Sequence, residues 1–259
     1  MLKISPLFSG SKGNCTLVQS ATTNILLDVG YGFRSTVKAL AARNLAATDI
    51  NAIIITHEHS DHVCALQQWT AHYSTTVYAP EVIVREIELR VPSTQVVPIT
   101  GSFVVGDVAL EVYECSHDVR CCFGYRFSNG GSYFACVTDT GVVTSELVDF
   151  FTPCSTIMLE SNHDEDMLLK GPYNYALKRR ILSNYGHLSN AQAASLLKQL
   201  VGSNIKNVIL AHLSQTNNTR ELAFSSAVNA LAECGVVEGK DIKVFVADQC
   251  ANEVTICID

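Results

Sequence analysis

Residues 51–62 read NAIIITHEHSDH. A short run of small and β-branched apolar residues, Ala52 to Ile55, stops at three histidines and two carboxylates within six positions, His57 to His62. The apolar run has the signature of a strand buried on both faces. Imidazole and carboxylate are common metal ligands, and the chain holds only 8 histidines, so this concentration marks a candidate metal site at a strand end. His57 and His59, two residues apart, can point the same way from an extended turn, leaving Asp61 and His62 for a second ion.

Working outward, other apolar strands stop in the same manner. VALEVYEC is followed by His117 and Asp118, SYFACV by Asp139, TIML by the polar run 160–164, and NVILA by His212. In α/β sheets, sites collect where strands end and loops bring distant residues together. His57, His59, Asp61, His62, His117, Asp139 and His212 are enough candidate ligands for two divalent metal ions, zinc or manganese being the suitable choices. Two ions can share a hydroxide and clamp both the attacking and the leaving oxygen of a displacement.

Between these strands lie helical patterns. FRSTVKALAARNL places Phe33, Val37, Leu40 and Ala41 on one face. Residues 62–73 read as one helix through Val63, Leu66, Trp69 and Tyr73, and EVIVREIELR as another. SNAQAASLLKQL opens with a capping box, Ser189 as N-cap and Gln192 three residues on. TRELAFSSAVNALAEC is a further helix. KISPLF and CTLVQS form a hairpin-like start punctuated by Gly10, Gly13 and Asn14. CFGYRF-SNGG-SYFACV is the clearest hairpin, because Asn and Gly tolerate positive φ. DIKVFVADQC and EVTICID read as closing strands.

The bulk numbers bound the classes. The 259 residues are 47% hydrophobic, ample for one α/β domain over residues 1–259, and show no repeat or low-complexity linker. No apolar stretch approaches a membrane span, and the N-terminus, MLKISPLFSGSKGN, lacks a signal-peptide pattern. A soluble cytoplasmic protein without membrane partners is expected. The 10 cysteines show no C-x-x-C pair, and several, such as Cys136 and Cys257, lie in apolar runs, so reduced core thiols are expected. The net charge of −7 argues against a broad nucleic-acid groove but not against phosphate binding at a metal site.

THEHSDH resembles the H-x-H-x-D-H signature of the metallo-β-lactamase fold superfamily. Asp28 in ILLDVG, His117, Asp139 in TDTG and His212 in LAHLS follow in that family's order, so the resemblance covers essentially the whole chain. It implies a four-layer αβ/βα sandwich with a dinuclear centre at one edge of two sheets. It further implies that His57, His59 and His117 hold one ion, that Asp61, His62 and His212 hold the other, and that Asp139 bridges, with Asp28 a buried support.

GHLSNAQAA, from Gly186, resembles the segment of tRNase Z enzymes that carries a catalytic histidine, which points to His187. LESNHDEDML, KRRIL and LAHLSQTNN resemble the YycJ/WalJ group, which implies a dinuclear-metal phosphodiesterase acting as a 5′-to-3′ exonuclease on DNA through a metal-bridging hydroxide. In that reading Asp61 orients the hydroxide and His187 serves the leaving oxygen. Only 72 residues separate Asp139 from His212, too few for a β-CASP insertion. Lys178, Arg179 and Arg180 are either a solvated helix face or a grip on the nucleic-acid backbone. His163 and its acidic neighbours Asp164, Glu165 and Asp166 are a support for ligands, a contact to a 5′ phosphate, or a plain loop. The alternatives are a hydrolase of a small thioester, lactone or cyclic nucleotide on the same scaffold, and a non-catalytic metal-binding regulator. A di-iron oxidoreductase lacks its expected carboxylate ligand and flavin domain here.

Overall fold

A computed structural model describes residues 1–250 and 254–258. The chain opens with the antiparallel strands β1 (Leu2–Phe8), β2 (Cys15–Gln19) and β3 (Asn24–Leu27). Parallel strands β4 (Ala52–Ile54), β5 (Thr76–Pro80) and β6 (Val96–Ile99) extend the sheet from β3. A second sheet starts with antiparallel β7 (Phe103–Val105), β8 (Val108–Glu114), β9 (Phe123–Asn129) and β10 (Ser132–Val137). It continues in parallel through β11 (Thr156–Glu160), β12 (Asn207–Ala211) and β13 (Lys243–Val246). The last strand, β14 (Ile256–Ile258), returns to pair with β1. The ends of the closing strand expected over 253–259 lie outside the described residues.

Period-two alternation explains the layering. In β4, Ala52 and Ile54 face the space between the sheets, with Phe127, Phe134 and Met158 of the other sheet, while Ile53 packs outward beneath Leu40 and Trp69. In β10, Phe134 and Cys136 face inward, whereas Ala135 and Val137 pack with Leu196, Leu197 and Leu231. Strands buried on both faces need helices outside, and the chain supplies them. Helices α1 (Phe33–Ala41), α2 (Ser60–Val63), α3 (Leu66–His72) and α4 (Val84–Glu88) arise from the first half. Helices α5 (Ser145–Phe151), α6 (Glu165–Lys170), α7 (Tyr175–Ile181), α8 (Asn190–Gln199) and α9 (Arg220–Glu233) arise from the second. The result is the expected four-layer αβ/βα sandwich.

Three local expectations are corrected. The helix read over 62–73 is two helices, because the Ala65 amide donates to Val29 O at 2.9 Å instead of continuing the helical ladder. The helix read over EVIVREIELR is a 3₁₀ turn at Glu81–Ile83 followed by α4. Cys136 is buried as expected, but Cys257 is exposed, since edge strand β14 turns Ile256 and Ile258 inward. All ten cysteines are free. Among the described residues no helix is long and apolar enough to cross a membrane.

Candidate metal centre

Residues following the ends of β3, β4, β8, β10, β11 and β12 meet at one edge of the sandwich. Asp28, Asp139 and His212 each have positive φ, 60°, 59° and 56°, immediately or shortly after a strand. That conformation costs a non-glycine residue about 1–3 kcal/mol and recurs where a site fixes the backbone. It turns the chain sharply, so that the side chain enters the cleft instead of continuing the pleat.

The loop His57 to His62 rests on glycine. A Cβ on Gly30 would stand 1.6 Å from Asp61 O, so only glycine allows this approach. The loop is then tied down by Asn14 N–H to Asp61 O at 2.8 Å and by Val29 N–H to His62 O at 3.0 Å.

Four of the five candidate ligand imidazoles share one orientation. His62 donates from Nδ1 to Asp28 Oδ2 at 2.8 Å, and His212 from Nδ1 to Glu160 Oε1 at 2.7 Å. Nδ1 of His57 lies 3.0 Å from Thr56 Oγ1, whose own proton goes to Asp28 at 2.9 Å. Nδ1 of His117 reaches Gly186 O at 3.3 Å. Each ring is thus anchored through Nδ1, leaving Nε2 to bear the lone pair, the arrangement by which histidine presents itself to a metal. Nε2 of His57, His117 and His212 and Oδ2 of Asp139 are buried with no hydrogen-bond partner. Buried polar atoms without partners are costly, and a cation satisfies all of them at once. The donor set therefore fits divalent metal.

The candidate ligand atoms fall into compact groups: His57, His59 and His117; Asp61, His62 and His212; and His57, His62 and Asp139, each within 4.8 Å. Asp139 lies between the first two, its Oδ2 3.4 Å from His62 Nε2 and its Oδ1 3.9 Å from His117 Nε2. A fourth group, Asp139, Glu160, His187 and His212, is already occupied by hydrogen bonds through Nδ1.

Electrostatics follow from this packing. Burial and the neighbouring imidazoles hold His57 well below its ordinary pKa, keeping it neutral. Burial opposes the charging of His62, yet Asp28 and Asp139 push it up to about 9. Burial likewise works against charge on Asp61, but His212 and His62 hold its carboxyl below the usual range. Carboxylates at this edge thus favour positive charge on the imidazoles beside them, a place that a bound cation can take over from protons.

Sequence reasoning overlooked three supports. Glu160, fully buried, accepts from His187 Nδ1 at 2.9 Å, His212 Nδ1, Leu188 N–H at 3.1 Å and Thr140 N–H at 3.2 Å. Thr56 links Asp28 to His57. Asn14 Nδ2 stands 3.1 Å from His62 Nε2. The signal available for Glu160 was its position at the end of an apolar strand; its partners are 27 and 52 residues away.

His187 lines the cleft together with Asp61, Asp139, Asn162 and His212, and Tyr173, Leu177 and Arg180 complete the wall, enclosing about 360 Å³. Burial alone would depress the pKa of His187; Glu160 and Asp139 raise it above the ordinary value. Of the basic run, Arg180 reaches this cleft and pairs with Asp118 through two hydrogen bonds. Lys178 instead donates to Leu169 O at 2.7 Å, and Arg179 lies over the Tyr175 ring at 5.7 Å. His163 is buried behind the cleft, its ring nitrogens unpartnered, and does not line it. The acidic run serves α6: Asp164 caps it, accepting from Met167 N–H at 2.9 Å, Glu165 accepts from Ser189 Oγ, and Asp166 pairs with Lys170 at 2.7 Å.

A family model described as "Beta-lactamase superfamily domain" matches residues 23–213. The exodeoxyribonuclease WalJ of Streptococcus pneumoniae is 34% identical over 250 residues, covering 94% of this chain and 93% of that protein. The exodeoxyribonuclease YycJ of Bacillus anthracis is 33% identical over 252 residues, covering 95% and 96%. The metallo-beta-lactamase fold protein YhfI of Bacillus subtilis superposes with a TM-score of 0.74 at 15% identity, over 97% of this chain and 99% of that one, a likeness of fold.

Proposed function

We propose that this chain, which belongs to the beta-lactamase superfamily, is a metal-dependent exodeoxyribonuclease that degrades DNA from the 5′ end. The observation that carries the reaction type is the convergence of two ligand trios on Asp139, with the buried Glu160 holding His187 at the rim. Similarity over 94% of the chain to an exodeoxyribonuclease supports the substrate. The enzyme acts as a single catalytic domain over residues 1–259, in the cytoplasm.

His57, His59 and His117 would hold one divalent ion, zinc or manganese. Asp61, His62 and His212 would hold the other, and Asp139 both. When bound, the ions supply positive charge for the transferring phosphate and acidify the attacking water. The chain's own residues do the rest. Asp28, Thr56 and Glu160 fix the imidazoles so that no reorganisation is needed during reaction. Asp61 accepts a hydrogen bond from the attacking water and sets its line of approach. His187, charged through Glu160, delivers a proton from Nε2 to the leaving oxygen. Arg180 offers a planar fork to a phosphate, once released from Asp118.

The test is incubation of metal-loaded protein with end-labelled DNA and RNA carrying a 5′ phosphate or hydroxyl. Release of mononucleotides from the 5′ end of DNA is the expected product ladder. Intact DNA alongside turnover of a thioester, lactone or cyclic nucleotide would sink the reading.

A further inference from the structure

Residues 171–186 read GPYNYALKRRILSNYG. They hold three basic side chains and three tyrosines and no carboxylate, in a chain whose net charge is −7. This stretch runs over the metal cleft and leads straight into His187. Tyr173, Leu177, Arg180 and Ile181 form a wall of the cleft. Tyr185 borders a neighbouring cavity beside His117 and Arg120. The stretch is fixed to the site by Ser116 Oγ donating to Asn184 O at 2.8 Å and by His187 N–H donating to Ile181 O at 3.1 Å.

Two of its three tyrosine rings face water. Tyr175 is 75% exposed and Tyr185 62%, and the adjoining Leu182 is also open. The two rings flank the contiguous cations Lys178, Arg179 and Arg180, on and beside one short helix. Arg179 already lies against the Tyr175 ring. Rings that accept a base face, flanking cations that attract phosphate, suit one class of ligand: an unpaired nucleic-acid strand, whose bases are free to stack. A duplex keeps its internal base faces stacked on one another and offers phosphates and groove edges instead.

We infer that residues 171–186 are a stacking platform for an unpaired DNA strand, with bases on Tyr173, Tyr175 and Tyr185 and the backbone led by Lys178, Arg179 and Arg180 towards His187. The inference deepens the exonuclease reading and rests on it for the identity of the strand. It names the form in which DNA enters: the degraded strand is peeled from its complement before it meets the cleft.

The test is fluorescence anisotropy of the metal-loaded chain with a labelled, hydrolysis-resistant phosphorothioate oligothymidylate, the same backbone without bases, and a blunt duplex of equal length. The base-bearing single strand binds about tenfold or more tighter than either rival. Tyr175→Ala together with Tyr185→Ala removes that preference, and Tyr175→Phe with Tyr185→Phe keeps it. Both rings are exposed, and unchanged melting temperatures establish that the variants fold. Equal binding of the abasic strand, equal or tighter binding of the duplex, or alanine variants that retain the preference would each overturn the platform. Cleavage of unmodified DNA is scored separately. Base-dependent binding without hydrolysis leaves the platform standing and removes the exonuclease; hydrolysis with an unaltered KM in the alanine variants does the reverse.

Discussion

His187 separates chemistry from metal holding, because its ring is bound to Glu160 and not to the unpartnered nitrogens that face the ligand centre. His187→Ala is expected to lower kcat by about 10²–10⁴-fold. Elemental analysis of the same variant should find metal content unchanged, and normal turnover in a metal-replete sample would remove the role. Glu160→Gln should behave differently, since that carboxylate orients both His187 and His212. A fall in kcat together with a loss of about 10–100-fold in metal affinity is expected, read by titration against a chelating dye. At Gly30 the limit is steric. Gly30→Ala places a methyl group 1.6 Å from Asp61 O. The loop must move, and a loss of about 1–3 kcal/mol or more in chemical denaturation is expected, with reduced metal stoichiometry.

Among the elements, α8 shows what can be read from a chain and what cannot. Ser189 accepts from Gln192 N–H at 3.2 Å while Gln192 Oε1 accepts from Ser189 N–H at 2.9 Å, the reciprocal box that the spacing of Ser and Gln announces. Ser189→Ala should cost about 1 kcal/mol, seen as a drop of about 2–4 °C in Tm. The ends of β4, β10, β11 and β12 were legible for a related reason. A strand buried on both faces is a continuous apolar run, and a sudden polar residue marks where it leaves the core. Edge strands β6 and β7 were not legible. They are short, half-solvated and, in β6, interrupted by Pro98, which an edge tolerates. Short α5 and α6 depend on side-chain caps at Thr144 and Asp164 more than on an apolar stripe. The break between α2 and α3 is invisible locally, because it is made by Val29, 36 residues before Ala65. Glu160 escaped for the same reason: its meaning lies in two histidines that only the tertiary fold brings to it.

On the scale of the whole molecule, the ligand edge concentrates Asp28, Asp61, Asp139 and Glu160 in buried surroundings. Cations bound there oppose unfolding by mass action. Addition of zinc or manganese should raise Tm by several degrees in differential scanning fluorimetry. That gain should vanish near pH 5, where protons compete with metal for the imidazoles. A Tm indifferent to both ions would contradict the assigned centre. The connection between β6 and β7, at Gly101–Ser102, divides the strands of the first sheet from those of the second, apart from β14, which returns to β1. His57, His59, Asp61 and His62 come from before that point; His117, Asp139 and His212 come from after it. Severing the polypeptide there yields two fragments, each with an incomplete coordination set, so nuclease activity becomes a complementation signal that returns only when both halves find each other.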